Sequence, residues 1–301
     1  MDSVTFDGIS YQTQRVAVPG GSVATYSIGT GPEVLLLVHG GPGLSCDYIR
    51  DTHARLAGDR FKVVSYDQLG CGASQKVDDP SLWTMERHVA ELEAVRTALG
   101  LGKVHLFGQS WGAFLSLEYA LTYPDAFKTL ILEGGCASVP HLIPEMQRLR
   151  AALGSETVAM MVRHEAEGTN DHPEYQGALN VLMWRHVCRL QVWPPPLIRS
   201  ITDMNTAAFN AIQGRNEFTV TGNLKAWDRT ADLHRIAQPA LVMCGHYDEV
   251  TPAAAGLMHE GLPDSRLKIF GSSSHMPFLE EPDEYFGVLK AFLDEQTSAK
   301  V

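Results

Sequence analysis

Six apolar runs along the chain end in glycines or polar residues and are typical of buried strands. The run at 33–38 is apolar throughout after Glu33 and leads into His39-Gly40-Gly41. Further runs of this kind lie at 61–66, 104–107, 128–132, 240–244 and 266–270. Continuous runs, unlike alternating ones, predict strands of a parallel sheet that is covered on both faces.

Helical stretches separate several of these runs, at 85–99, 111–122 and 285–295. Two earlier strand-like stretches, 11–18 and 22–28, flank the turn Pro19-Gly20-Gly21. Strands that alternate with helices predict an α/β fold with a mostly parallel, doubly wound sheet.

The alternation stops between residues 138 and 235. This segment is rich in Met, Arg, His and Trp and contains the stiff corner Trp193-Pro194-Pro195-Pro196. We expect an inserted helical cap over the carboxyl ends of the strands, where open α/β sheets bind ligands. The predicted organisation is a core of residues 1–137 and 236–301 with a cap of residues 138–235.

Composition narrows the class of protein. A chain of 301 residues with 45% hydrophobic content can bury a large core, and its formal charge of −11 disfavours a nucleic-acid partner. The first residues lack a signal-peptide pattern, and no run is long enough to span a membrane. The five cysteines show no CxxC spacing, so we expect an unprocessed, soluble, cytoplasmic protein without disulfides.

Ser110 is the candidate nucleophile. Gly108-Gln109-Ser110-Trp111-Gly112 follows an apolar strand and opens a helix, and that context is the one a sharp, strained nucleophile turn requires. Glycines on either side let the neighbouring elements approach without Cβ clashes. The alternative is a plain turn of small residues.

A serine hydroxyl needs a base, and the base needs a carboxylate to fix its tautomer. On sheets of this type the chain order is nucleophile, acid, histidine. Asp248 lies just beyond the strand at 240–244, and His275 lies beyond the next strand, in agreement with that order. Alternatively, Asp248 caps a helix that begins near Pro252, and His275 is an ordinary loop residue.

The remaining histidines are expected to have structural roles. His39 is interpreted as a hydrogen-bonding group at a strand end, and His164, His172, His186 and His246 lack the position expected of a base. No set of two histidines with a carboxylate is evident at metal-ligand spacing, so we expect neither a metal nor another cofactor.

Attack on an amide carbonyl creates an oxyanion, which backbone N–H groups can stabilise. One donor is expected from Trp111, the residue after the nucleophile. The second is expected from the loop His39-Gly-Gly-Pro-Gly43, which we place after the third strand; Gly41 is favoured because Pro42 has no N–H. A simple Gly-Pro turn is the alternative for this loop.

Four segments together resemble the proline iminopeptidase family. They are His39-Gly-Gly-Pro-Gly43, Tyr66-Asp-Gln-Leu-Gly-Cys-Gly72, Gly108-Gln-Ser-Trp-Gly112 and Gly245-His-Tyr-Asp-Glu-Val-Thr-Pro252. The family consists of α/β-hydrolase aminopeptidases, includes the tricorn-interacting aminopeptidases, and has amino-acid amidases as close relatives. The cap segment at 214–228 is similar as well, so the resemblance covers nearly the whole chain and implies the α/β-hydrolase fold.

The resemblance also implies a site for the substrate's free amine. In the family one glutamate of the cap and one directly after the catalytic aspartate hold the α-amino group, and these positions match Glu217 and Glu249. The alternatives are a solvated cap residue for Glu217 and a helix N-terminal acid for Glu249. Many family members have arginine where this chain has Leu69, which suggests a particular branch and weakens a strict preference for proline.

The predicted function is hydrolysis of an N-terminal peptide bond, or of a small amide with a free amine, through an acyl-enzyme. The alternatives are an esterase or arylamide hydrolase without an amine requirement, and a non-catalytic ligand-binding homologue. The serine at the turn disfavours the aspartate-nucleophile dehalogenases and epoxide hydrolases. Trp184, Trp193, Met204 and Phe209 could line the pocket, although such residues more often form the core of a helical cap. Oligomeric state and the preferred first residue stay open.

Overall fold

The computed structural model describes residues 2–298, which form a nine-stranded sheet with helices on both faces. The strands are β1 (Asp2–Phe6), β2 (Ile9–Val18), β3 (Gly21–Ile28), β4 (Glu33–Val38), β5 (Phe61–Tyr66), β6 (Val104–Gln109), β7 (Phe127–Glu133), β8 (Ala240–Gly245) and β9 (Ser265–Phe270). Their order in the sheet is β1-β2-β3-β5-β4-β6-β7-β8-β9. The first three strands pair antiparallel, β3 pairs antiparallel with β5, and β4 to β9 run parallel. The predicted mostly parallel α/β fold is confirmed.

Strand β1 was not predicted, and the glycine-rich loop therefore follows the fourth strand rather than the third. Its five residues, Asp2–Phe6, are exposed or half-buried and carry no apolar run. The strand exists because its backbone pairs with β2, from Asp2 opposite Thr13 to Phe6 opposite Ile9. Backbone pairing at a sheet edge leaves little trace in the hydrophobic pattern.

The apolar runs are explained by burial on both faces. In β4, Leu36 and Val38 face one hydrophobic cluster, whereas Leu35 and Leu37 face the other, and all four are fully buried. Successive side chains of a strand point to opposite faces, so a strand covered on both faces needs apolar residues at every position. Each fully buried leucine contributes roughly 1.5–3 kcal/mol relative to an exposed one.

Helices cover both faces of the sheet and fill the segment between β7 and β8. They are α1 (Asp47–His53), α2 (Met85–Ala98), α3 (Trp111–Thr122), α4 (Val139–Ala151), α5 (Ser155–Glu167), α6 (Pro173–His186), α7 (Pro195–Thr202), α8 (Thr206–Ile212), α9 (Pro252–Gly261), α10 (Pro277–Glu280) and α11 (Pro282–Ser298). Short 3₁₀ turns lie at Ala54–Leu56, Pro80–Leu82, Asn223–Ala226 and Thr230–Arg235. Helix α1 was not predicted; α3 has the predicted bounds, and α2 and α11 follow the predicted stretches with shifts at their ends.

The segment between β7 and β8 is tied to the rest of the chain by polar contacts. The Asn223 side-chain amide donates to the Trp83 carbonyl at 2.7 Å, and the Asn205 N–H donates to the Gly43 carbonyl at 2.9 Å. Arg229 Nε donates to Glu118 Oε2 of α3 at 2.7 Å. These contacts place the inserted segment against the glycine-rich loop after β4 and against α3.

Within residues 2–298, no helix has both the length and the apolar character needed to cross a bilayer. The five cysteines are buried free thiols.

Gly112 lies where the start of α3 packs tightly against the end of β4. A Cβ at Gly112 would lie far inside van der Waals contact with the Val38 carbonyl oxygen, so we expect Gly112→Ala to lower the free energy of unfolding by about 1–3 kcal/mol. The matched control is Gly256→Ala in α9, where nothing lies within 4 Å and alanine should stabilise by roughly 0.5–1 kcal/mol. Urea unfolding measures both values, and equal stability changes for the two variants would contradict the packing argument.

Candidate active site

Ser110 occupies a strained turn between β6 and α3. Its backbone angles are φ 56° and ψ −126°, a region that residues other than glycine rarely adopt. A Cβ at Gly108 would collide with the Gly112 carbonyl, so both glycines are needed for the turn to close. The Ser110 N–H donates to the Glu133 carbonyl at 2.8 Å, which ties the turn to the end of β7.

Asp248 and His275 meet at the carboxyl ends of β8 and β9. His275 Nδ1 lies 2.7 Å from Asp248 Oδ1, which also accepts the Val250 N–H at 2.8 Å. Both side chains are buried. Since the carboxylate accepts, Nδ1 carries the proton and the lone pair of the neutral imidazole is on Nε2. Gly134 allows this packing, because a Cβ there would lie 2.7 Å from His275 Cε1.

His275 Nε2 has no hydrogen-bond partner among the side chains and backbone of residues 2–298. The structure therefore brings the acid and the histidine together but contains no formed hydrogen bond from Ser110 to His275. Such bonds are often long in the absence of substrate and tighten when substrate binds.

A cavity with an empty volume of about 380 Å³ lies over Ser110. Gly41 and Trp111 border it, and neither of their backbone N–H groups donates a hydrogen bond to another described residue. Its apolar wall consists of Phe114, Val139, Leu142, Met146, Val220 and Leu224. Core and inserted segment thus share one cavity beside the nucleophile.

The residues suggested as pocket lining lie elsewhere. Trp184 is 54% exposed, and Trp193 and Met204 pack against the hydrophobic cluster on one face of the sheet. Phe209 is buried but does not border the Ser110 cavity. The alternative interpretation, packing in a hydrophobic core, fits Trp193, Met204 and Phe209 but not the exposed Trp184.

Glu217 and Glu249 border the same cavity as Ser110. Glu249 Oε1 lies 3.7 Å from His275 Nε2, and Glu249 Oε2 has no hydrogen-bond partner within the described chain. Burial raises the pKa of Glu217 to about 7, against the opposing effect of a charged His275. Burial and the neighbouring Glu217 raise the pKa of Glu249 well above its usual range.

The carboxyl groups in turn control the base. Burial alone lowers the pKa of His275, but the charge of Asp248, its hydrogen bond and the charge of Glu249 outweigh that effect and raise the pKa to about 10. The carboxyl groups of Glu217 and Glu249 therefore lie close enough to the histidine for the charge of each group to influence the pKa of the others.

Two buried polar residues at the site, Glu133 and Tyr48, were not predicted from the sequence. The Glu133 carboxyl is fully buried without a hydrogen-bond partner in the described chain, and burial raises its pKa well above its usual range. The Tyr48 hydroxyl accepts the Gly40 N–H at 2.7 Å and donates to Gln109 Oε1 at 2.5 Å. Glu133 could have been noticed, because it is a charged residue at the end of an apolar run and directly before Gly134. Tyr48 lies in the unpredicted helix α1.

The expectation that no two histidines combine with a carboxylate is wrong. Ligand atoms of His164, His172 and Glu174 all lie within 4.8 Å of one another at the junction of α5 and α6. The group could offer three ligands, but Glu174 Oε2 also faces Arg163 Nη2 at 3.6 Å and His172 Nδ1 accepts the Glu174 N–H. We propose no metal for this group, because Glu174 already faces Arg163 and the Nδ1 atom of His172 already accepts a backbone hydrogen bond.

The histidines near the candidate site are held by backbone groups. His186 Nδ1 donates to the Tyr247 carbonyl at 2.8 Å, and His39 lies between the Gly40 carbonyl and the Gln68 N–H. His246 stacks edge-on against the Tyr247 ring. Among these histidines, only His275 has a carboxylate hydrogen-bonded to its Nδ1.

Comparison with known proteins agrees with this geometry. A family model described as the alpha/beta hydrolase fold matches residues 33–282. The proline iminopeptidase of Saccharolobus solfataricus is 39% identical, covering 87% of this chain and 84% of that protein, and that of Heyndrickxia coagulans is 38% identical, covering 94% and 99%. The crystal structure of the Mycobacterium smegmatis proline iminopeptidase superposes with a TM-score of 0.88 at 33% identity, covering 96% of this chain and all of that one. The resemblance found in the sequence motifs is thereby confirmed, and the chain belongs to the proline iminopeptidase family of the α/β-hydrolase fold.

Proposed function

We propose that the protein is a serine hydrolase that releases the N-terminal residue, proline or another, from short peptides, or hydrolyses the amide of an amino acid amide. The observation that carries this proposal is that Glu217 and Glu249 border the same cavity as Ser110. A substrate with a cationic amine next to its scissile bond matches two carboxyl groups beside a nucleophile. The names of the relatives support the same activity.

Ser110 is the proposed nucleophile and His275 the general base. His275 Nε2 takes the hydroxyl proton, while Asp248 holds Nδ1–H and stabilises the imidazolium. The Ser110 oxygen then attacks the carbonyl carbon. The N–H groups of Gly41 and Trp111 stabilise the oxyanion, each at roughly 2.7–4 kcal/mol as judged from comparable donors.

Collapse of the tetrahedral intermediate transfers the acyl group from the substrate's amine to Ser110. His275 returns its proton to the departing amine, so the C–N bond breaks and an ester to Ser110 remains. Water then attacks this ester with His275 again as base. The products are the free first residue and the shortened peptide or ammonia.

The substrate's ammonium group also prepares the base. In the free site, a proton on His275 neutralises part of the charge of Asp248 and Glu249. An ammonium bound between Glu217 and Glu249 supplies that positive charge instead and lowers the pKa of His275. The base thus becomes neutral when a substrate with a free amine is bound.

The inserted segment gives the enzyme its preference for chain ends. We propose that residues 138–235 form a cap on a core of residues 1–137 and 236–301, with Glu217 on the cap side of the cavity. A blocked or extended N-terminus would place an uncharged group against these carboxyls. We also propose a cytoplasmic location, since five free thiols suit a reducing compartment.

The amine requirement is tested with one pair of substrates. We expect an aminoacyl arylamide to be hydrolysed at pH 8 and its N-acetyl form to be hydrolysed at least tenfold more slowly. Glu217→Gln should reduce kcat/KM for the free-amine substrate roughly 10- to 100-fold, because a charged hydrogen bond is worth about 1.5–3 kcal/mol. Steady-state kinetics measure both effects.

Two controls accompany this experiment. Glu156→Gln removes an exposed carboxylate of α5 and should leave kcat/KM unchanged, and Ser110→Ala supplies the blank. Equal rates for the free and acetylated substrates would replace the proposal with an esterase or arylamide hydrolase. Failure of a fluorophosphonate to label Ser110 would support a non-catalytic homologue.

The role of Glu249 in setting the base is tested by pH dependence. Neutral His275 is the active form, and its raised pKa means that reactivity is lost as pH falls through that pKa. Glu249→Gln removes a carboxylate 3.7 Å from Nε2, so the pKa should drop and the acid limb should move to lower pH by about one unit. The measurement is the rate of Ser110 labelling by a neutral fluorophosphonate between pH 5 and 10; an acid limb that stays in place refutes the coupling.

A further inference from the structure

His39 is a buried histidine whose tautomer is decided by its surroundings. The Gln68 N–H donates to His39 Nε2 at 3.0 Å, and His39 Nδ1 lies 2.9 Å from the Gly40 carbonyl oxygen. A backbone N–H can only donate, so Nε2 is the acceptor and the proton resides on Nδ1. Nδ1–H therefore donates to Gly40. Burial lowers the pKa of His39, which keeps the ring neutral and preserves this arrangement.

The acceptor of this hydrogen bond belongs to the peptide unit that carries the proposed oxyanion donor. The Gly40 carbonyl and the Gly41 N–H lie in one planar group, at opposite ends of the same dipole. Holding the oxygen therefore fixes the direction of the N–H. Such a hold is needed here, because Gly41 has φ 114° and glycine can adopt many other backbone conformations.

Gln68 joins His39 to the other proposed donor residue. Its Nε2 donates to the His39 carbonyl at 2.9 Å, and its Oε1 accepts the Trp111 indole N–H at 2.9 Å. His39, Gln68 and Trp111 are all at most 2% exposed. One side-chain amide thus ties the loop after β4 to the first residue of α3.

We propose that His39, held by Gln68, is a positioning residue that aims the Gly41 N–H at the substrate oxyanion. This inference rests on the proposed function, because it assigns the oxyanion role to Gly41. A donor fixed in advance costs no reorganisation when negative charge develops, so its alignment affects the transition state more than the bound substrate.

A second hydrogen bond on the same loop should hold its backbone in place when His39 is replaced. The Gly40 N–H donates to the Tyr48 hydroxyl, which in turn donates to Gln109 Oε1. The peptide before Gly40 therefore stays anchored when the peptide after it is released. Substitution of His39 is expected to misalign one N–H rather than to unfold the loop.

The experiment compares His39→Leu with His39→Asn. Leucine approximates the ring's volume without a donor, whereas the asparagine amide can donate to the Gly40 carbonyl. We expect His39→Leu to lower kcat about 10- to 100-fold with little change in KM, below the 10²–10³ lost when a donor is deleted. His39→Asn should recover most of that loss.

An aldehyde analogue of the first residue supplies an independent readout. It forms a tetrahedral adduct with an oxyanion on Ser110, so its inhibition constant should worsen in His39→Leu by the same factor as kcat/KM. Binding of the free amino acid product, which has no oxyanion adduct, should not change. The control is His53→Leu, which removes a buried histidine bonded to Ile49 and Tyr285 and should leave the ratio of these two affinities unaltered.

Several outcomes would overturn the proposal. Equal kcat losses for the leucine and asparagine variants would show that the donated hydrogen bond is irrelevant. A rise in KM that matches the fall in kcat/KM would indicate a merely structural role.

The tautomer can be measured without any activity. Nitrogen-15 NMR of the wild-type protein should show His39 protonated on Nδ1 alone between pH 5 and 9. An Nε2–H form, or a ring that titrates in this range, would refute the positioning role of His39 even if the variants do not fold. Hydrolysis absent in the wild type, with the Nδ1–H tautomer present, would instead count against the proposed function.

Discussion

The arrangement of the site depends on the close packing of the backbone at the start of α3 against the end of β4, beside the turn at Ser110. Helix α3 begins so near to the end of β4 that only glycine fits at Gly112, and the serine between strand and helix is forced to φ 56°. The same approach brings Trp111, at the start of α3, into the wall of the cavity that Gly41 borders. Gly41, Ser110 and Trp111 thus border one cavity, because the sheet and helix α3 are packed without intervening side chains.

Electrostatics then turns this geometry into a preference for one kind of substrate. Asp248 and Glu249 are buried beside His275, and Glu217 borders the same cavity as Glu249. Burial penalises each negative charge and raises the pKa of Glu217 and of Glu249. In the proposed mechanism an α-ammonium group binds at these glutamates and lowers the pKa of His275. Recognition of the substrate and activation of the proposed base then depend on the same carboxyl groups.

The sequence is most informative at positions where one residue type has one physical purpose. The apolar runs identified the parallel strands because strands buried on both faces cannot carry polar side chains. The glycines around Ser110 marked the turn, and the order of Ser110, Asp248 and His275 followed the order of the strands. The amine-binding role proposed for Glu217 and Glu249 came only from family resemblance, since a glutamate in a loop has many ordinary explanations.

The sequence by itself determined the alternation of the buried strands with helices, the sharp turn at Ser110 and the positions of Asp248 and His275 after two of the strands, because these depend on local sterics and hydrophobic periodicity. Tertiary structure alone decided the edge strand β1, the meeting of Glu217 with Glu249, and the grouping of His164, His172 and Glu174. It also decided the tautomer of His39, which follows from the Gln68 N–H that reaches it across 29 residues of chain. Contacts between distant segments carry no periodic signal, so only the folded packing reveals which polar groups share a site.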